Sequence, residues 1–112
     1  MSGSAADAEH LPCPHCRRPQ PLGRLFDTMD ACWPFRRFVR ARCGDCGQQV
    51  IVLPGFETVT IGVVSLLRDP ELVPSGTVEP EDYRATWSSS GLRINIGELR
   101  WTVRASTSDL TQ

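Results

Sequence analysis

Cys13-Pro14-His15-Cys16 and Cys43-Gly44-Asp45-Cys46-Gly47 decide how this chain is read, with residues 17–42 between them. A C-x-x-C pair supplies two thiolates from one tight turn. Two pairs complete a tetrahedron of soft ligands about a metal ion, at about 2.3 Å for zinc. The sequence therefore predicts one structural Zn2+ held by Cys13, Cys16, Cys43 and Cys46, with no coordination position left open. A fifth cysteine, Cys32, stands alone beside Trp33 and reads as a small buried side chain. The segment Met1 to Glu9 is small and acidic, without the basic and apolar regions of a signal peptide. No apolar run approaches the ~18 residues of a membrane span. The expectation is a cytoplasmic protein with reduced thiols and no membrane contact, in which paired C-x-x-C motifs point to metal before disulfides.

The order knuckle, hairpin, second knuckle, third strand over residues 13–53 resembles the zinc-ribbon family. The second knuckle matches the family pattern through Gly44 and Gly47, whereas the first has Arg17 where such knuckles often have Gly. The resemblance implies a structural zinc and recognition of nucleic acid or protein, and no single activity. Two other chemistries compete. Rubredoxins use similar pairs to bind iron, but the absent Gly at 17 and the lack of Pro in the second knuckle argue against that metal. Cys13-Pro14-His15-Cys16 alone resembles the active site of thioredoxin-like thiol oxidants, in which a helix N-terminus and the histidine acidify the first cysteine. That fold needs a helix after the motif, and Pro19 and Pro21 oppose one. A thiol–disulfide oxidoreductase using Cys13 and Cys16 stays as an alternative. His15 reads as solvent-facing filler of the knuckle, and His10 has no assigned role.

The predicted fold is mainly β: a zinc ribbon extended by further antiparallel strands. Residues 1–10 read as a disordered tail, 11–53 as the ribbon, 54–104 as a β-rich extension packed on it, and 105–112 as a frayed end. Leu22 to Phe26 is expected as the first strand, and 27–34 as irregular. Phe35 to Cys43 alternates as a strand, with Phe35, Arg37, Val39, Ala41 and Cys43 on one face and Arg36, Phe38, Arg40 and Arg42 on the other. Gln48 to Leu53 is the third strand, and Pro54-Gly55 a type II turn. Thr58 to Leu67 reads as a strand, Asp69 to Gly76 as a loop, and Pro80 to Trp87 as a short helix, with acids at its N-terminus and Tyr83 and Trp87 at i, i+4. A hairpin over 91–104 turns at Gly97-Glu98. It pairs Ile96 with Leu99, Ile94 with Trp101 and Leu92 with Val103 on one face, and places Arg93, Asn95, Arg100, Thr102 and Arg104 on the other.

Charge bears on partners. The net charge is -1 and every one of the 12 basic residues is Arg. This fits either a coding bias or selection for bidentate contacts to carboxylate or phosphate. Residues 11–50 carry an excess of Arg, and 51–112 an excess of acid. The face of Arg36, Phe38, Arg40 and Arg42 is the candidate partner-binding surface. Its guanidinium groups suit a phosphate backbone with Phe38 stacking on a base, or an acidic protein segment. A pI of 6.1 favours a protein partner over nucleic acid, which remains the alternative. A third alternative is a structural subunit with the 92–103 hairpin as its edge. No Gly-rich phosphate loop, nucleophile triad or paired carboxylates stand out, so neither an enzyme nor a small-molecule substrate is expected.

Overall fold

The computed structural model describes residues 8–65 and 71–107. Among them the backbone is mostly strand, in three antiparallel sheets, as a mainly β fold requires. β1 (His10–Pro12) and β2 (Pro19–Pro21) form a two-stranded hairpin. β3 (Ala31–Trp33), β4 (Phe38–Arg42), β5 (Gln49–Pro54), β6 (Val59–Ser65) and β7 (Glu71–Val78) form a five-stranded meander in chain order. β8 (Tyr83–Ser88), β9 (Gly91–Ile96) and β10 (Leu99–Arg104) form a three-stranded sheet with β9 in the middle. A short helix, α1 (Leu22–Asp27), joins β2 to β3. No helix among the described residues is long and apolar enough to cross a membrane.

Several local expectations are corrected. Leu22 to Phe26 is helix and not strand. Its buried residues Leu22, Leu25 and Phe26 lie at i, i+3 and i+4, the spacing of one helical face. Thr28 ends the helix and ties it to β4: its Oγ1 lies 2.8 Å from the Leu25 carbonyl and accepts from the Arg42 N–H at 3.0 Å. The segment expected to be irregular contains β3. The strand expected from Phe35 begins only at Phe38, because residues 34–37 turn back on Trp33, whose carbonyl accepts from the N–H groups of Arg36 and Arg37. After β5 the chain reverses over 55–58 with Gly55 N–H donating to Thr58 O, and Gly55 does not take the positive φ of a type II turn.

Two further corrections concern the second half. The loop expected over 69–76 is largely β7; residues 66–70 lie outside the described residues. Pro74 is tolerated because β7 is an edge strand with a register shift at that point, opposite Gly62. A side chain at Gly62 would collide with the Val73 carbonyl, so the bulge depends on this glycine. The helix expected over 80–87 is instead β8. Asp82 takes a φ of 55°, and Tyr83, Ala85 and Trp87 then alternate inward while Arg84, Thr86 and Ser88 face out. The tails are shorter than expected: His10 already lies in β1, Ala105 bridges to Cys32, and Ser106 N–H donates to Cys32 O. Residues 1–7 and 108–112 lie outside the described residues.

The 91–104 hairpin has the expected register throughout, including Ile96 opposite Leu99, Ile94 opposite Trp101 and Leu92 opposite Val103. Gly97 has a φ of 57° and Glu98 does not take a positive φ, as a type II′ turn needs. One core unites the three sheets. Leu11 and Leu22, Val39 and Val52, and Leu92 and Ile94 all belong to it and are buried. Each such aliphatic side chain contributes about 1.5–3 kcal/mol by burial. The three-stranded sheet is also pinned at both flanks. On the β10 side, Trp101 meets Phe26 in a tilted pair with ring centroids 5.3 Å apart and donates to Asp27 Oδ1 at 2.7 Å. On the β8 side, Tyr83 Oη donates to Gly55 O at 2.8 Å and Trp87 Nε1 to Pro54 O at 3.1 Å.

Candidate metal centre

Each cysteine pair sits in the turn of a hairpin, the first between β1 and β2 and the second between β4 and β5. The hairpins repeat each other at an offset of 30 residues, 43 minus 13. His10, Leu11 and Pro12 face Pro21, Gln20 and Pro19, just as Arg40, Ala41 and Arg42 face Ile51, Val50 and Gln49. The knuckles share their hydrogen bonds. Cys13 N–H donates to Arg18 O at 3.0 Å and Arg17 N–H to Cys13 O at 2.9 Å; Cys43 N–H donates to Gln48 O at 3.0 Å and Gly47 N–H to Cys43 O at 3.1 Å. In each, the first sulfur accepts backbone N–H groups: His15 to Cys13 Sγ at 3.3 Å and Asp45 to Cys43 Sγ at 3.3 Å. Arg17 therefore does what Gly47 does, with φ of 68° against 74°.

The two knuckles bring their sulfurs together. All four Sγ atoms lie within 4.8 Å of one another, and the cross-knuckle pairs Cys13–Cys46 and Cys16–Cys43 are 3.7 Å apart. A tetrahedron with metal–sulfur bonds of about 2.3 Å has edges of about 3.8 Å. The thiols are all free, and the set fits one metal ion. Cys13 and Cys43 are buried, and Cys46 is exposed.

The thiols would not ionise alike. Burial works against the Cys43 thiolate, but the N–H groups of Cys46 and Asp45 and the nearby thiols outweigh it and bring this group down to about 7. For Cys46 the Gln48 N–H favours the thiolate, yet desolvation and the three other thiols push it up to about 12. Cys16 is likewise raised, by desolvation and by Cys13 and Cys43, against the Arg18 N–H. Sulfurs this close disfavour one another's thiolates, and a bound cation would favour them.

Gln20 is a part of the site that motif reading misses. It is 1% exposed, yet polar. Its Nε2 donates to Asp45 Oδ2 at 2.6 Å and its Oε1 accepts the Gly44 N–H at 3.1 Å, so β2 of the first hairpin grips the second knuckle. The reverse contact is His15 Nε2 with Gln49 O at 2.9 Å. His15 is thus tied to β5 and is neither a ligand nor idle filler. The only available signal for Gln20 was a polar residue at an inward position of a short strand. The Arg24 side chain of α1 lies against Gly44 of the second knuckle.

Cys32 stands outside the cluster, fully buried, with its thiol directed at Val103 O at 3.7 Å and raised by burial. The expected partner face is not brought together as one exposed surface. Phe38 is buried opposite Trp33 of β3, which removes the ring proposed for stacking. Arg36 belongs to the 34–37 turn. Arg40 pairs with Asp30 at 2.7 Å and lies over Trp33, and Arg42 donates to Gly47 O at 3.0 Å. Arg40 and Arg42 thus support the fold locally. Compared with known proteins, the chain matches no family model, no curated protein and no solved structure.

Proposed function

We propose that this chain is a small recognition module in which one zinc ion has a structural role and the partner is a protein. The observation that carries the reading is the closed set of Cys13, Cys16, Cys43 and Cys46 at the tips of two mutually tied hairpins. Four thiolates satisfy Zn2+ completely and leave a substrate no position on the metal. The path of the chain after Cys16 speaks for a structural use of that pair: it turns directly into β2, and α1 starts only at Leu22, so the pair does not stand at the N-terminus of a following helix. A protein partner is supported by the slight net negative charge and by the burial of Phe38.

The test is metal analysis of protein purified without added metal, followed by partner capture from nuclease-treated extract. One zinc per chain, with a captured protein lost in Cys43→Ser, supports the reading. Iron in the site, a Cys13–Cys16 disulfide in a stable metal-free fold, or a partner that disappears with nuclease overturns it.

A further inference from the structure

We propose that the free edge of β8 receives an extended segment of a partner protein, alternately acidic and apolar, as a fourth strand of the β8–β9–β10 sheet. The assignment rests on the protein-recognition reading above and gives that recognition a place. β8 pairs with β9, and no described strand pairs with its other side. The two-residue turn at Gly97-Glu98 makes Ile96 and Leu99 a hydrogen-bonded pair. Asn95 and Arg93 therefore turn their backbone groups to Arg84 and Thr86 of β8. By alternation, the N–H and C=O groups of Tyr83, Ala85 and Trp87 point away from β9, along the open edge.

The edges at β7 and β10 are protected or occupied and this one is not: beyond β10 the chain bridges to Cys32 through Ala105, and Trp101 is tied to Asp27. β7 carries Pro74 and a register shift, and Pro12 of β1 lies against its Gly76. These are the usual devices against strand addition. β8 runs Tyr-Arg-Ala-Thr-Trp-Ser in unbroken register with no proline, bulge or acidic residue. Beside it lies an open cleft of about 650 Å³, lined among others by Arg37, Gly55, Phe56, Arg84, Ala85 and Thr86. Phe56 is 87% exposed there, an apolar wall without a described cover.

Charge sets the composition of the occupant. The outer face of the sheet carries Arg84 on β8, Arg93 on β9, and Arg100 and Arg104 on β10, among Thr86, Asn95 and Thr102. No acidic residue of the three strands lies on this face, and none of the four arginines is in an ion pair among the described residues. A strand laid beside β8 sets alternate side chains next to Arg84 and Thr86, where carboxylates fit, and the others toward Pro54, Phe56 and Ala85, where apolar groups fit. A second copy of this chain would bring four more arginines to the same face, and like charges at neighbouring positions oppose that pairing. No aromatic ring on the outer face offers a base a stacking platform, which disfavours single-stranded nucleic acid.

The experiment uses the zinc-loaded full chain and a capped peptide of about eight residues alternating glutamate and valine. The expected result is saturable binding with slowed amide exchange at Tyr83, Ala85 and Trp87, and none with a lysine–valine peptide. Ala85→Pro removes an outward N–H without breaking a bond to β9, so it should keep zinc and the fold and abolish binding. Arg84→Glu should weaken binding by about tenfold or more; should Ala85→Pro fail to fold, this variant and the exchange map decide. Failure of the glutamate–valine peptide to bind, equal binding of both peptides, protection at β7 instead of β8, or wild-type binding by either folded variant overturns the assignment. A β8-protected dimer in sedimentation, or tighter binding of oligo-deoxythymidine to the same face, overturns it in favour of those occupants. A captured zinc-dependent partner that binds both variants like wild type sinks the edge alone; absence of any protein partner sinks the recognition reading.

Discussion

Gln20 Nε2 stands 2.6 Å from Asp45 Oδ2, joining a strand of the first hairpin to the knuckle of the second. The same amide accepts the Gly44 N–H, so one buried side chain orients the backbone from which Cys43 and Cys46 project. Gln20→Leu leaves the Gly44 N–H and the Asp45 carboxylate without this partner. We expect a loss of about 1–3 kcal/mol in stability and a weakening of zinc affinity by about 10–100-fold. Thermal melts and competition with a chromophoric chelator measure the two. Wild-type affinity in this variant would show that the knuckles hold their geometry unaided.

Arg17 has the φ of 68° that its counterpart Gly47 has without steric cost. A left-handed conformation costs an ordinary residue about 1–2 kcal/mol, part of which is offset by the greater freedom of glycine in the unfolded chain. Arg17→Gly should therefore raise stability by about 0.5 kcal/mol at unchanged metal content. Gly47→Ala, with open space around its Cβ but φ of 74°, should lower it by about 1 kcal/mol. Denaturant midpoints check both, and opposite signs are the decisive outcome.

Metal loading should release protons. Of the shifted thiols, only Cys43 lies near neutrality, at about 7, whereas Cys16 is raised and Cys46 stands at about 12. At pH 7.5 the metal must displace protons from at least Cys16 and Cys46. Calorimetry in buffers of different ionisation enthalpy should count about two or more protons per ion. The ligands of the loaded fold bind fewer protons than the same cysteines unfolded. The stability supplied by the metal is therefore present at high pH and lost as pH falls.

Tyr83 is raised well above its ordinary value by burial, and its Oη donates to Gly55 O. A phenol held neutral in the fold contributes stability that is complete below about pH 10, its unfolded value, and lost as pH rises through the folded one. Tyr83→Phe should cost about 1 kcal/mol at pH 7 and flatten the alkaline decline above pH 10. An unchanged alkaline limb would mean that the hydroxyl reaches water.

The cluster of Cys13, Cys16, Cys43 and Cys46 was legible because C-x-x-C is a local spacing with one dominant use. The 91–104 hairpin was legible because Gly97 fixes its register. Where two periods agree, the reading failed. Tyr83 and Trp87 at i, i+4 fit a helix face and also alternate positions of a strand, and only the positive φ of Asp82 and the partner β9 decide for strand. Leu22, Leu25 and Phe26 carried helical spacing in a segment too short to outweigh the ribbon pattern. Pro74 and Gly76 read as loop because the sequence does not reveal that the strand is an edge. Phe38 alternates with arginines, but its burial depends on the neighbouring β3, a strand the pattern did not disclose. The Arg face of β8–β10 was hidden by summing charge along the chain, since 51–112 is acidic as a whole yet segregates four arginines onto one side of one sheet.

The 30-residue repeat of the knuckles has a kinetic consequence. An ion held by all four sulfurs would have two bonds to each hairpin, so it could leave by stepwise exchange, with one hairpin giving way while the other keeps its grip. The halves are not equally easy to approach: each has one buried cysteine, Cys13 or Cys43, but Cys16 is half-buried whereas Cys46 faces solvent next to Gly47. An attacking chelator or oxidant meets the Cys46 sulfur first. The lifetime of an ion held there would then be set at that one exposed sulfur, with the first hairpin the last to let go.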